Sequence, residues 1–308
     1  MRILYQTFIV CCSFLSVIEL SAQSDANTIL QRMQEYVIKN DINNAISCCD
    51  SICNIRDSLF KNDILDYALI SYAVMPVYSM ADEWKGYAIS KDILSIIEQV
   101  KDKDIRVRIK ESCLSTIVDH HLDNDDWDSL YVAVNDYIDF LKKRKHKAIL
   151  IRDDVNFRQK QPDMQYCGYN EKYYLSLCKL GLCLLNFGRY ADAEEITYDA
   201  VSNYKNNIEH TYAYDYMIKS LIQIYSTRSM KYFSEDNYLL GVNYFDKSLC
   251  LLEQYINNVL ITPLEDIIFS KTYFYLRKIG NNSQAQEYLS RYQRIQLGAV
   301  FKNPLETR

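Results

Sequence analysis

The chain has 308 residues, of which only seven are glycine and four are proline, and its formal net charge at pH 7 is -5. So few turn-forming residues argue against an all-β or doubly wound α/β fold and favour long helices joined by short loops. The mild negative charge argues against nucleic acid as a partner. We therefore predict an all-α protein.

Residues 1–23 have the pattern of a secretory signal peptide. Arg2 precedes an apolar run over residues 8–18, and small residues follow it. We expect cleavage after Ala22 or Gln23, which predicts an exported protein, either periplasmic or extracellular. The alternatives are an uncleaved amphipathic start or a short anchor. No later stretch has about 18 consecutive apolar residues, so we expect no membrane span after cleavage.

Cysteine usage does not identify a disulfide framework. Two of the ten cysteines lie in the leader, and an even number of the rest permits disulfides in an exported protein. Within predicted helices, however, a cysteine is most often a small buried hydrophobe. Cysteines in such helices are Cys48, Cys49, Cys53, Cys178 and Cys183. We expect mostly free thiols and name no pairing.

The first helix pair is predicted at residues 26–39 and 42–56. Its second helix opens at Ile42, an apolar residue that follows a polar turn. Trp84 and Trp127 stand in the same kind of position further along the chain.

Acidic residues and two histidines gather just before and after Trp127. They are Asp119, His120, His121, Asp123, Asp125, Asp126 and Asp128. Adjacent histidines on a helix point about 100 degrees apart, and the acids lack the glycine and glutamate of a calcium loop. We predict no metal site here, but a solvated turn whose acids favour the start of the following helix.

A long connection is predicted at about residues 143–170. It begins in the basic run Lys142, Lys143, Arg144, Lys145 and Lys147. We assign these cations to the negative end of a helix dipole, with a docking patch for an acidic partner as the alternative. Pro162 and Gly168 break helical periodicity, as expected for a connection between helices. This connection lies either within one repeat domain at 24–297 or between two small domains. We favour one domain.

The clearest motif spans Leu177 to Val201, a helix, a tight turn and a second helix. Its characteristic positions are Leu180, Gly181, Leu184, Gly188, Tyr190, Ala193 and Ala200. This pattern resembles one tetratricopeptide repeat (TPR), in which small residues such as Gly181 and Ala193 let two helices approach closely. Thr197 departs from this pattern, because the family prefers a large aromatic residue at that position. Lys205 also departs from it, because the family prefers proline there.

Tyr190 begins the second helix of that motif, and Tyr238 and Asn282 occupy the same place later in the chain. From Ile42 to Asn282 the intervals are 42, 43, 63, 48 and 44 residues. A unit of about 45 residues is therefore repeated, giving about six hairpins, and the long interval holds the connection. The last helix pair is predicted at 263–279 and 282–297, followed by a loose tail at 298–308.

Tyrosine is abundant in the second half, where 19 of the 27 tyrosines lie between Tyr166 and Tyr292. Tyr212, Tyr214 and Tyr216 alternate, so on one helix they cannot all face the core. Tyrosines suit a recognition surface, but they also seal helix crossings in repeat proteins. Both interpretations stay open.

No sequence motif indicates a reaction. The chain has no GxSxG, P-loop, HExxH, GxGxxG or CxxC pattern. We predict no catalysis, no cofactor and no metal, and the sequence does not identify the peptide-binding residues.

The predicted fold is a right-handed αα superhelix, a solenoid of about six antiparallel hairpins. The TPR resemblance implies a scaffold or adaptor that binds an extended peptide or a helix of another protein through the concave inner face of the superhelix. Two alternatives are a sensory module of an envelope signalling system and, less favoured, an α/α-toroid enzyme acting on glycans.

Overall fold

The computed structural model describes residues 24–59, 63–81, 83–144, 169–205, 212–255 and 262–300. Within these ranges it contains twelve α-helices, one short 3-10 helix and no strand. The all-α prediction is confirmed. The signal peptide and most of the long connection, residues 145–168, lie outside the described residues, so both stay predictions.

The chain divides into two compact units, Met1–Tyr166 and Cys167–Arg308. The first unit contains six helices, which we number α1 to α6. They are α1 (Ser24–Ile38), α2 (Ile42–Leu59), α3 (Ile64–Ala81), α4 (Glu83–Ile96), α5 (Lys103–Asp123) and α6 (Trp127–Arg144). The 3-10 helix Ile97–Gln99 follows α4 directly.

The second unit also contains six helices. They are α7 (Tyr169–Asn186), α8 (Tyr190–Lys205), α9 (Tyr212–Ser234), α10 (Tyr238–Gln254), α11 (Pro263–Lys278) and α12 (Asn282–Val300). Helix α12 therefore continues through Val300, three residues into the predicted tail. The preference for one unbroken row of hairpins stays a prediction, because the connection itself is not described.

Within each unit, every helix packs against the next one along the chain, which gives three stacked antiparallel hairpins. In the second unit, the first helices of successive hairpins also touch, as α7 does with α9 and α9 with α11. This is the packing that covers the apolar face of one hairpin with its neighbour.

Five hairpin turns share one backbone conformation. The residue two positions before the second helix has a positive φ: Asn40 at 59°, Asp125 at 54°, Gly188 at 73°, Asp236 at 58° and Gly280 at 79°. The N–H of the next residue then donates to a carbonyl five residues back in each turn, for example Arg189 to Leu184 at 2.8 Å. This is the Schellman ending of a helix, and glycine, asparagine and aspartate tolerate it best.

Helix α3 forms the core of the first unit. Its residues from Ala68 to Tyr78 are all buried, and it packs against both α2 and α4. By length and composition it is the one described helix that could cross a membrane, but 67% of it is buried inside this unit. It therefore has the environment of the central helix of a helical stack.

The close crossing predicted at Gly181 is present between α7 and α8. A Cβ atom added to Gly181 would lie 2.1 Å from Thr197 Oγ1 and 3.3 Å from the Ala193 carbonyl oxygen. Ala193, Thr197 and Ala200 are fully buried. The small side chains thus allow the two backbones to approach, as the TPR pattern predicts.

Candidate functional site

Helix α11 positions the candidate site, and its sequence carries two stripes. The buried stripe consists of Glu265, Ile268, Thr272 and Leu276, spaced three or four residues apart. It faces the core of the second unit, where Ile268 and Leu276 are packed. The helix begins as predicted at Pro263, and the backbone N–H of Thr262 donates to Glu265 Oε2 at 2.9 Å.

The second stripe lies on the opposite side of α11 and is apolar although it is exposed. Phe274 is 70% exposed and Ile267 is 48% exposed. These two residues are seven apart, so they lie on one helix face about two turns from each other. An amphipathic helix normally carries polar residues in these places.

This face borders a groove of about 870 Å³, which we call the α11 groove. Its lining comes from the end of α9, the start of α10 and the outer face of α11. The lining residues are Phe233, Asp236, Tyr238, Asp266, Ile267, Ser270, Lys271, Phe274, Tyr275, Lys278 and Ile279. Most of the lining residues are therefore aromatic or aliphatic, and the others are aspartate, lysine and serine.

Aromatic stacking holds the walls of the groove in place. The rings of Tyr238 and Tyr275 are parallel within 9°, with centroids 5.0 Å apart, and join α10 to α11. Phe233 packs edge-on against Tyr238 with centroids 6.1 Å apart. On the other side of α11, Phe269 stacks on Tyr292 at 4.2 Å. Since these contacts fix four helices, α9 to α12, against each other, the groove is preorganised.

The two carboxylates of the groove are hydrogen-bonded to tyrosines. The Tyr238 hydroxyl donates to Asp236 Oδ1 at 2.6 Å, and the Tyr292 hydroxyl donates to Asp266. The hydrogen bond to Asp236 raises the pKa of Tyr238. Burial raises the pKa of Tyr292, and the hydrogen bond to Asp266 makes a smaller contribution in the same direction. Both phenols are therefore neutral at physiological pH.

The two lysines of the groove differ from the carboxylates. Lys271 and Lys278 are exposed and have no ion-pair partner among the described residues. The lining includes no histidine or cysteine. The arrangement can therefore bind by apolar contact and charge, and it offers no nucleophile paired with a base.

A second cavity, of about 330 Å³, lies between the α7–α8 turn and the end of α9. Its charges are already paired: Arg189 Nη2 lies 2.6 Å from Asp192 Oδ2, and Arg228 binds Glu194. Glu194 also accepts from Lys247 Nζ at 2.9 Å. Because these pairs join α8, α9 and α10, this cavity belongs to the packing between helices.

The acidic and histidine-rich segment forms the end of α5 and the turn before α6. Asp126 Oδ1 accepts from the Ser129 backbone N–H at 3.3 Å, which supports the prediction that this acid favours the helix start. His120 and His121 are buried, and His120 stacks on Tyr87 at 4.2 Å. Among the described residues, no group of three or more potential ligands could hold a metal ion.

The basic run begins in the last turn of α6, which ends at Arg144. Lys142 Nζ lies 3.8 Å from Asp139 Oδ1 on the same helix. This position agrees with the predicted interaction with the helix dipole. Lys145 and Lys147 lie outside the described residues.

Most tyrosines of the second unit seal helix crossings. Tyr214 is buried, and its hydroxyl is 2.7 Å from that of Tyr255. Tyr216 is half-buried, whereas the side chain of Tyr212 lies outside the described residues. Tyr238 and Tyr275 also join two helices and in addition border the α11 groove, whereas Tyr198 is 54% exposed.

The spacing of apolar residues predicted α11 but did not predict the groove beside it. A signal was present: Ile267 and Phe274 repeat at seven residues on the face opposite Ile268 and Leu276. A second, exposed apolar stripe on a helix that already has a buried one indicates a surface that is covered by another element or chain.

Comparison with known structures supports the fold. The apo form of RapI is 11% identical, with a TM-score of 0.50, over 89% of this chain and 98% of that one. The TPR-like repeats of a Podosopora anserina kinesin light chain are 11% identical, with a TM-score of 0.41, over 73% and 93%. BtubC from P. vanneervenii is 10% identical, with a TM-score of 0.42, over 87% and 95%.

No protein-family model matches the chain, and no curated protein matches it by sequence. At these identities the structural likeness concerns the fold alone. The likeness to RapI, at a TM-score of 0.50, supports a TPR-like helical repeat, which is the architecture predicted from Leu177 to Val201.

Proposed function

We propose that this chain is a non-catalytic scaffold or adaptor that binds another polypeptide through the helical surface of its second unit. The α11 groove is the contact surface. The observation that carries the proposal is Phe274, a large aromatic side chain left 70% exposed on the face opposite the buried stripe of its helix.

Apolar surface left in water costs free energy, which binding a partner would recover. Covering apolar area contributes about 25 cal/mol per Å², and aromatic side chains dominate the energetics of protein interfaces. Phe274 and Ile267 lie together on one face, and Tyr275 and Ile279 extend the apolar lining. A contiguous patch with charged residues beside it is typical of a protein-binding surface.

Affinity capture with matched baits tests this function. Wild-type protein, Phe274→Glu and Val132→Glu are used to capture partners from the cells that make the protein. Val132 is a suitable control because it is 61% exposed on α6 and lies outside the groove.

We expect the same polypeptide to be enriched by wild type and by Val132→Glu, and to be reduced at least tenfold by Phe274→Glu. Equal enrichment by all three baits would exclude the α11 groove as the contact surface. Circular dichroism of each bait should show unchanged helix content, because both substituted side chains are exposed.

Export is part of the same proposal and is supported by the sequence of residues 1–23. Mass spectrometry of the protein purified from its own cells should show a chain that begins after Ala22 or Gln23. A chain that retains Met1 or Arg2 would contradict cleavage.

A further inference from the structure

Lys271 and Lys278 give the α11 groove a feature that apolar contact does not explain. They lie three residues before and four residues after Phe274, so the three side chains share one face of α11. Neither lysine has a carboxylate within ion-pair distance among the described residues. Two unpaired cations therefore flank the most exposed apolar residue of the groove.

The spacing of the lysines favours a helical occupant. Seven residues of α-helix span about 10 Å along the axis, so two residues seven apart on a partner helix are separated by the same axial distance as Lys271 and Lys278. Charged residues beside an apolar seam pair in this manner between two packed helices. An extended strand would need about three residues, and residues three apart in a strand point to opposite faces.

The other charged residues of the groove are two aspartates. Asp266 is in the first turn of α11 and accepts the Tyr292 hydroxyl, while Asp236 precedes α10 and accepts the Tyr238 hydroxyl. Both carboxylates are thus directed to tyrosines within the unit. The cations beside Phe274 are the charged groups without such a partner.

We infer that the α11 groove binds an amphipathic helix with acidic residues seven positions apart beside an apolar stripe that covers Phe274 and Ile267. This inference rests on the proposed function, since it names the class of polypeptide that the groove accepts. The acidic side chains pair with Lys271 and Lys278, and the apolar stripe fills the space between them.

Designed peptides test the inference. Three fluorescent 21-residue peptides share one leucine stripe: the first has glutamates seven apart beside it, and the second has lysines there. The third is the glutamate peptide with two prolines in its interior, which prevent a helix. Binding to the purified protein is measured by fluorescence anisotropy at low ionic strength, where exposed charges act most strongly.

We expect the glutamate peptide to bind about tenfold more tightly than either of the others, on the order of what two exposed ion pairs and helix formation contribute. The double variant Lys271→Glu with Lys278→Glu should reverse the preference between glutamate and lysine peptides. Lys101→Glu with Lys103→Glu makes the same change of net charge at exposed positions of the first unit and should preserve it.

The inference would be overturned by equal binding of the glutamate and lysine peptides, or by no binding of any peptide. It would also be overturned if the Lys271→Glu, Lys278→Glu variant still preferred the glutamate peptide. These results are independent of the capture experiment. If Phe274 controls capture but the peptides show no charge preference, the inference alone fails. If Phe274 does not control capture, the proposed function fails.

Discussion

At the scale of single residues, the contact between Gly181 and Thr197 shows how this chain departs from the usual TPR pattern. Thr197 replaces a large aromatic residue, and its side chain is fully buried against Gly181. Its hydroxyl has no hydrogen-bond partner among the described residues. The crossing of α7 and α8 is therefore tight at this point, and the threonine contributes shape without a polar contact.

Substitution Gly181→Ala should destabilise the second unit by about 1–3 kcal/mol, because the new methyl group would overlap Thr197 Oγ1. Thr197→Ala alone should have an effect of less than about 1 kcal/mol, since it removes an unsatisfied hydroxyl. In the double variant the loss should be smaller than for Gly181→Ala alone. Urea unfolding measures all three, and a double variant as unstable as Gly181→Ala would contradict the contact.

His121 is a second residue whose surroundings have a measurable consequence. Burial lowers its pKa from the ordinary value of 6.5, and the neighbouring Asp126, 3.1 Å away, opposes this effect only in part. His120 and Lys91 also lower the pKa. The unfolded chain therefore binds a proton at His121 more readily than the folded chain does.

This difference in proton affinity makes the stability of the folded chain depend on pH. The contribution of neutral His121 to stability is complete above pH 6.5 and is lost as the pH falls through its lower folded pKa. Between pH 7.5 and pH 5 the urea midpoint of the wild-type protein should fall more than that of His121→Gln. Equal falls in the two proteins would show that His121 does not titrate differently on folding.

At the scale of elements, the hairpin turns explain why such varied sequences give the same structure. The positive-φ position is filled by Asn40, Asp125, Gly188, Asp236 and Gly280, which are three residue types with one shared tolerance. Each is followed by one more residue and then by the second helix. The repeat is thus defined by backbone conformation, whereas the side chains beside it vary.

Gly280→Ala tests this common turn. Gly280 has a φ of 79°, and an added Cβ would meet no heavy atom within 4 Å, so any cost comes from the backbone alone. We expect a loss of about 1–2 kcal/mol for alanine and a smaller loss for Gly280→Asn. Thermal unfolding provides the measurement. Equal stability of the glycine and alanine proteins would mean that the turn tolerates another conformation.

Helix positions were largely predictable from the sequence, whereas the α11 groove was not. Trp127, Tyr190, Tyr238 and Asn282 each begin the helix predicted for them, because an apolar periodicity after a polar turn is a local signal. Trp84 is the second residue of its helix, which begins at Glu83. The α11 groove depends on Phe233 and Tyr238 packing beside Tyr275 of α11, and such contacts between distant segments are not encoded in local spacing.

At the scale of the whole molecule, the position of α11 in its stack accounts for the open groove. Helix α9 packs against α7, α8, α10 and α11, whereas α11 packs mainly against α9, α10 and α12. The outer face of α11, which carries Ile267 and Phe274, stays exposed in this packing. This exposed apolar stripe is the surface that we propose another chain covers.

Site-specific photo-crosslinking tests whether another polypeptide binds in the α11 groove. A photoreactive phenylalanine analogue replaces Phe274 in one protein and Val132 in another, and both are irradiated inside the cells that make the protein. We predict a covalent adduct with a polypeptide from position 274 and none from position 132. No adduct from position 274, or the same adducts from both positions, would contradict binding in the α11 groove.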